Sequence, residues 1–404
     1  MQIQESPKVN KGSLGLIFFI MLMDVIGITI LNPVAPYIVQ RYNKTALMVT
    51  MVTIIYAAGQ FIAAPLMGKL GDRYGRRPIL LISILGQAFG YLIFGLGGSL
   101  WILFLGRFIG GITGGNLSTA TAYIADVSKP EERSKNFALI GMAWSLGLIL
   151  GPFAGGLFGQ LNLSAPAYTA AGLSILNVLL GVFILPESLP KEKRETAPMR
   201  VRDFNPIVAI FEMARKPGLG WLLLVTGIFN FAFNGINSTS AVFFIQKFSA
   251  KLWHITALTM LAGIAIALIN LFLVAPWVKK YGEKRSALVS LIGQGIVNVA
   301  IFFVPAFWPI FPMNLLTSGL SAFTFPTLTT LSADCVPHRE VGLLMGVTTG
   351  IGSLMNVFGP LWGGLVYDHV MQGSPFWMGG ILLAIAGFML FWPKARPEIA
   401  LASQ

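Results

Sequence analysis

The chain nearly repeats itself. The segment Gly68-Lys69-Leu70-Gly71-Asp72-Arg73-Tyr74-Gly75-Arg76-Arg77 lies between two long apolar runs, and Val278-Lys279-Lys280-Tyr281-Gly282-Glu283-Lys284-Arg285 is a weaker copy of it. Gly151-Pro152-Phe153-Ala154-Gly155-Gly156 recurs as Gly359-Pro360-Leu361-Trp362-Gly363-Gly364, and Ala125-Asp126 as Ala333-Asp334, each about 208 positions on. A constant offset across several landmarks means a duplicated unit of about half the chain. In a membrane protein such a repeat points to a transporter with its site between the halves.

Composition places the chain in a membrane. Of its 404 residues 55% are hydrophobic and 11% charged, and the mean hydropathy is +0.74. Twelve apolar stretches are each long enough to cross a bilayer as a helix: about 14–40, 46–69, 78–98, 100–126, 134–158, 165–186, 219–247, 253–279, 286–304, 308–334, 341–366 and 374–393. The expected fold is an all-α membrane protein with twelve transmembrane helices in two pseudo-symmetric six-helix halves, 1–186 and 219–404. A cytoplasmic linker, 187–218, joins them; it carries Pro190, Pro198, Pro206 and Pro217 and the mixed charges of Lys191-Glu192-Lys193-Arg194-Glu195. Within it Ile207, Ile210, Phe211 and Ala214 have helical spacing, which suits a short interfacial helix and an irregular tether equally.

The excess of basic residues reads as topology, not as nucleic-acid binding. With both termini in the cytoplasm, the opposite side holds only Arg41, Lys44, Lys247 and Lys251, and Arg107 alone lies inside a span. Every other one of the 28 Lys and Arg residues falls on the cytoplasmic side, as the positive-inside rule requires. No small-residue cleavage site follows a short apolar core, so no signal-peptide removal is expected. The single Cys335 excludes an internal disulfide, and His254, His338 and His369 are far apart. No metal or cofactor is expected, and no nucleophile–base pair suggests an enzyme.

These residues resemble the major facilitator superfamily, and within it the twelve-span drug:proton antiporters. Gly68–Arg77 with Pro78 is similar to the loop signature between the second and third spans. Leu105-Gly106-Arg107-Phe108-Ile109-Gly110-Gly111 resembles the fourth-span signature. Gly147, Gly151, Pro152, Gly155 and Gly156 resemble the fifth-span antiporter signature. The pattern is most similar to tetracycline efflux pumps, through Asp24-Val25-Ile26-Gly27, Gly106–Gly114, Ala122–Asp126 with Glu132-Arg133, and Gly282-Glu283-Lys284. Those pumps carry further acidic and histidine residues in the third, eighth and ninth spans; an ungapped alignment puts Gly90, Ile266 and Gln294 at the matching positions. The resemblance implies the major facilitator fold and a bacterial cytoplasmic membrane location. A carrier of this kind exchanges a small-molecule substrate against protons and is expected to work as a monomer in the lipid bilayer.

Several side chains could carry transport. Asp24 is the carboxylate deepest in a span, where a charge is costly unless it faces a cavity or a partner. Arg107 is its expected partner for proton coupling. Asp24 is about ten residues from the inner end of the first span, Arg107 about seven from the outer end of the fourth. At about 1.5 Å per residue through about 30 Å of hydrocarbon their depths agree. The resemblance implies a cytoplasmic gate made of Asp72, Arg73, Arg76, Arg77, Asp126 and Arg133. In the second copy Lys279 stands where Asp72 stands, so the gate charge is asymmetric. The fifth-span glycines and Pro152 suit either an antiporter hallmark or close helix packing. Asn230, Asn234 and Asn237 share one face of the seventh span. With Gln60, Gln294, Asn298, Asn314 and Ser318 they could line a substrate cavity; helix–helix hydrogen bonding is the competing reading. A wall this sparse in charge suits lipophilic neutral or singly cationic substrates. The alternatives are a uniporter or symporter for a metabolite, or an exporter of an endogenous product such as a siderophore; a membrane-embedded enzyme or sensor is a third.

Overall fold

A computed structural model describes residues 11–128, 132–194, 206–337 and 340–391. Among these there are helices and turns and no strand. The helices are α1 (Lys11–Thr29), α2 (Ala35–Gln40), α3 (Ala46–Tyr74), α4 (Arg76–Leu96), α5 (Leu100–Thr113), α6 (Asn116–Val127), α7 (Arg133–Leu161) and α8 (Ala165–Ile184). They continue with α9 (Pro206–Ala214), α10 (Leu219–Phe248), α11 (Leu252–Phe272), α12 (Val274–Tyr281), α13 (Glu283–Phe303), α14 (Ile310–Ala333), α15 (Val341–His369) and α16 (Ser374–Met389).

Over the described residues each of the twelve stretches is helical, but three are broken. The first divides into α1 and α2 around Pro33, the fourth into α5 and α6 at Gly114-Gly115, and the eighth into α11 and α12 at Leu273. An apolar run records that a segment is buried in hydrocarbon but not where its helix breaks. Nine described helical spans are long and apolar enough to cross a membrane, and α1 and α16 contribute shorter apolar helices. The Asn, Ser and Thr residues of α14 make it more polar than those spans. Large apolar side chains such as Trp101, Phe183, Leu161 and Leu271 are more than 70% exposed. In water such a surface would aggregate; in lipid it is solvated, while each helix satisfies its own backbone.

The chain divides into two compact units, Met1–Ile38 with Ile55–Phe204, and Val39–Ile54 with Asn205–Gln404. In the first, α1 packs on α7 and α8, and α4 on α5 and α8; in the second, α10 packs on α15 and α16, and α13 on α14 and α16. The same pairing occurs in each unit, as duplication requires. It extends to the backbone. Gly75 and its copy Gly282 both have positive φ, +108° and +81°, so each turn between spans needs a residue without a Cβ. At Gly75 the restriction is also spatial: a Cβ would lie 2.3 Å from Oε2 of Glu187.

The fifth-span stripe is a packing surface in this structure. A Cβ on Gly147, Gly151 or Gly155 would meet Val25 or Thr29 of α1, or the Ile30 carbonyl just beyond its end, at 2.4, 1.9 and 2.0 Å. The Thr29 hydroxyl donates to Gly147 O at 2.9 Å. Pro152 and Gly156 are buried beside them. The second unit uses the same device: Cβ atoms on Gly359 and Gly363 would meet carbonyls of α10 at 2.6 Å.

Residues 39–54 belong with the second unit for a local reason. The Asp368 carboxylate accepts from Ala46 N and Leu47 N, both at 2.8 Å, so α15 caps the N-terminus of α3. Gln246 donates to Lys44 O at 3.0 Å and accepts from Tyr367 at 2.8 Å. Of the linker, α9 is helical; residues 195–205 and the Ile207 side chain lie outside what is described.

Candidate functional site

Asp24 sits in the C-terminal half of α1, half-buried, on the wall of a small cavity. Gln60, Asn116 and Trp144 line the same cavity, among apolar residues of α1, α4 and α6. Asn116 and Gln87 bring their side-chain amides against the carboxyl. Even so, Oδ1 of Asp24 is shielded from solvent and has no partner at hydrogen-bonding geometry, and the same is true of Nε2 of Gln87. Gln60 is oriented by donating to Gly114 O at 3.0 Å, across the break between α5 and α6. A lone carboxylate among neutral amides, with room beside it, can gain and lose a proton without breaking an ion pair.

Arg107 is buried, but it does not pair with Asp24. Its guanidinium lies 5.6 Å from the Tyr56 ring centre and 5.1 Å from that of Phe94, and its Nε lacks a hydrogen-bond partner. The cation is thus held by aromatic faces. The depth argument for Asp24 and Arg107 fixed their height but not their rotation about the helix axes.

At the far end of the first unit the charged cluster is real, with a different membership. Arg76 pairs with Asp72 at 2.5 Å and with Asp126 at 3.3 Å, and Ser188 donates to Asp126 at 3.2 Å. Arg77 instead donates to the last carbonyls of α8, Gly181 O at 3.4 Å and Val182 O, closing that helix end. Arg73 is exposed and lies over Tyr74. The Arg133 side chain lies outside the described residues. Sequence reasoning missed Glu187, whose carboxylate accepts from Arg76 N at 2.9 Å and Leu189 N at 3.1 Å and pairs with Arg194 at 3.7 Å. The available signal was an acid directly after Pro186, where the last apolar run of the first half ends.

The polar residues of the second unit divide into two groups. Asn230, Asn234 and Asn237 each donate to the carbonyl four residues earlier, at 2.8, 2.8 and 2.9 Å. Their amide oxygens remain as acceptors on a half-buried to exposed face. Gln294 and Asn298 are buried: Gln294 donates to Thr324 at 2.8 Å, tying α13 to α14, while Asn298 donates to Gln294 O at 2.8 Å within α13. Asn314 donates to Leu258 O at 3.0 Å, tying α14 to α11, and the half-buried Ser318 lies one turn further along α14. For Gln294 and Asn314 helix–helix bonding is the role the geometry supplies.

A duplicated six-helix pattern with an acid in the first span and an arginine in the fourth is matched by one family model, "Major Facilitator Superfamily", over residues 17–269 and 250–404. The chain belongs to the major facilitator superfamily. It is 34% identical over 360 residues to a class C tetracycline resistance protein of Escherichia coli, covering 87% of this chain and 89% of that one. It is 25% identical to multidrug resistance protein 2 of Bacillus subtilis (strain 168), covering 95% and 97%. Among solved structures, the human organic anion transporter MFSD10 (TETRAN) superposes with a TM-score of 0.71 at 25% identity, covering 94% of this chain and 99% of that one. An inward-facing bacterial homolog of the human lysosomal transporter Spinster shares the fold, with a TM-score of 0.78 at 17% identity and 94% and 95% coverage. The resemblance to tetracycline pumps therefore holds along the chain. Proteins of this superfamily are carriers, and this one is a multi-pass membrane transporter of small molecules, not an enzyme.

Proposed function

We propose that this transporter is a proton-coupled exporter of lipophilic neutral or singly cationic compounds, working by alternating access with both termini in the cytoplasm. The observation that carries this reading is Asp24, a carboxylate without a cationic partner on a cavity wall inside a helical unit. The likeness to tetracycline and multidrug resistance proteins supports efflux. Tetracycline itself is a weaker expectation. One pump acid aligns with Gly90, where a Cβ would lie 2.7 Å from Gly106 O, so no side chain fits. The test is a proteoliposome screen of candidate compounds, organic anions included, with and without an imposed pH gradient. Accumulation that ignores the gradient would replace this reading with a uniporter.

The Arg76 cluster is the proposed cytoplasmic gate. Arg76→Ala leaves Asp72 and Asp126 without their shared cation, a loss of about 1–3 kcal/mol, toward the lower end because Asp72 is 39% exposed. Turnover should fall several-fold while substrate affinity stays put. Wild-type turnover in Arg76→Ala would remove the gate.

The Asn230, Asn234 and Asn237 face is the proposed substrate wall. Each change to Leu removes an acceptor and should shift apparent affinity by ~1 kcal/mol, unequally among substrates. Cysteines placed there should react with a polar thiol reagent, and bound substrate should protect them. No labelling at any of the three, in protein that still transports, would place the face against neighbouring helices.

A further inference from the structure

Asp24 and Arg107 are separated by side chains that sequence reasoning did not select. Tyr91, on α4, donates its hydroxyl to Gln87 Oε1 at 3.4 Å. That bond fixes which way the Gln87 amide points: with its oxygen toward Tyr91, its NH2 is turned to the Asp24 side. Gln87 is 1% exposed and Tyr91 4%. The Tyr91 ring edge and hydroxyl lie against Gly27, one turn beyond Asp24 on α1; a Cβ there would sit 3.4 Å from both. Behind Tyr91 stand Tyr56 and Arg107, its charged and titratable neighbours together with Asp24. The elements packed on α1 bring further neutral groups: Asn116 and Trp144 at the cavity, and Asn177, which donates to Ile20 O at 2.9 Å.

A buried donor and a buried acceptor without partners, Gln87 Nε2 and Asp24 Oδ1, stand in neighbouring side chains. Two unmet groups so placed are costly as they stand, and a small rotation of the amide would join them. The joined form favours the carboxylate, which accepts the N–H; the parted form favours the neutral acid. We infer that Gln87, oriented by the Tyr91 hydroxyl, is a positioning residue that sets when Asp24 holds its proton, and that Arg107 acts on Asp24 through this chain. The guanidinium draws the lone pairs of Tyr91 toward itself and so turns the O–H to Gln87. This rests on Asp24 being the coupling group.

The test needs no substrate. The full-length protein in lipid vesicles is titrated by infrared difference spectroscopy, following the protonated-carboxyl band that is absent in Asp24→Asn. Gln87→Met removes the amide at nearly constant volume; Tyr91→Phe removes one oxygen. The expected midpoint moves to higher pH by about one unit in Gln87→Met and by less in Tyr91→Phe, because a donor to the carboxylate is lost or loosened. The double variant should move no further than Gln87→Met. If Gln87→Met fails to fold, Tyr91→Phe carries the test. A wild-type midpoint in the folded variants would overturn the inference, even where Asp24→Asn still loses coupling. A shifted midpoint with gradient-driven transport intact in Asp24→Asn would instead overturn the coupling role and leave the positioning role standing.

Discussion

Asp24→Asn should abolish accumulation driven by a pH gradient while leaving substrate counterflow in place. The amide has the shape of the carboxyl but cannot take up or release a proton at accessible pH, so each cycle moves substrate without a proton. Folding should survive. The variant replaces a shielded, partly unpartnered acid with a neutral group that can bond to Asn116 and Gln87. The acid has no counter-ion to strand, and the amide cannot ionise, so the change leaves no unpaired charge behind. The measurement is uptake into proteoliposomes with an imposed gradient, beside exchange of labelled for unlabelled substrate without one. The expected result is loss of the first and retention of the second. Gradient-driven uptake at the wild-type level would show that the proton travels elsewhere. Loss of both, in folded protein, would make Asp24 a substrate ligand instead.

The fold was largely legible because its two strongest signals are physical. Hydrocarbon demands long apolar helices, and duplication imposes the same constraints twice. Gly75 and Gly282 needed no alignment of relatives to be matched; the offset found them, and both have the backbone conformation that favours glycine. The breaks at Pro33, Gly114-Gly115 and Leu273 were hidden because an apolar run can continue through a break when neighbouring helices satisfy the freed backbone groups. The capping of α3 by Asp368 was equally invisible, since it joins positions more than 300 residues apart and neither belongs to a motif.

At the site, charge was legible and neutral polarity was not. Asp24 and Arg107 stood out because ionised groups are rare within spans. Gln87, Tyr91 and Asn116 did not, because amides and phenols are tolerated in spans for many reasons. The Asn face of α10 and Gln294 of α13 look alike in sequence, but one lies at a half-open surface and the other is buried and tied to a neighbouring helix. Helical period gives a residue's face; only packing says what that face meets. Arg77 and Arg76 are adjacent in one motif, yet one closes a helix end and the other holds two carboxylates.

Gly155→Ala should cost the folded protein more than any other single-methyl change in α7. The new Cβ would lie 2.0 Å from the Ile30 carbonyl oxygen and 3.0 Å from Pro33 Cγ. Both are parts of a backbone or a ring, so neither can rotate away, and relief requires α1 and α7 to part. Overpacking of this kind costs about 1–3 kcal/mol, and Gly155→Val, with two more methyl groups, should leave little folded material. Gly141, earlier in the same helix, is the control: a Cβ there meets nothing within 4 Å. Gly141→Ala should therefore be neutral or stabilising by up to about 1 kcal/mol, the helix-propensity gain alone. Thermal unfolding and the monodisperse fraction after extraction would compare the three. The contrast also decides between the two readings of the fifth-span signature. If close approach is its purpose, Gly155→Ala lowers stability, and transport per folded molecule falls only as far as the helices have moved apart. If Gly155→Ala melts as the wild type does but no longer couples transport to protons, the stripe serves the transport cycle directly, and the packing account fails.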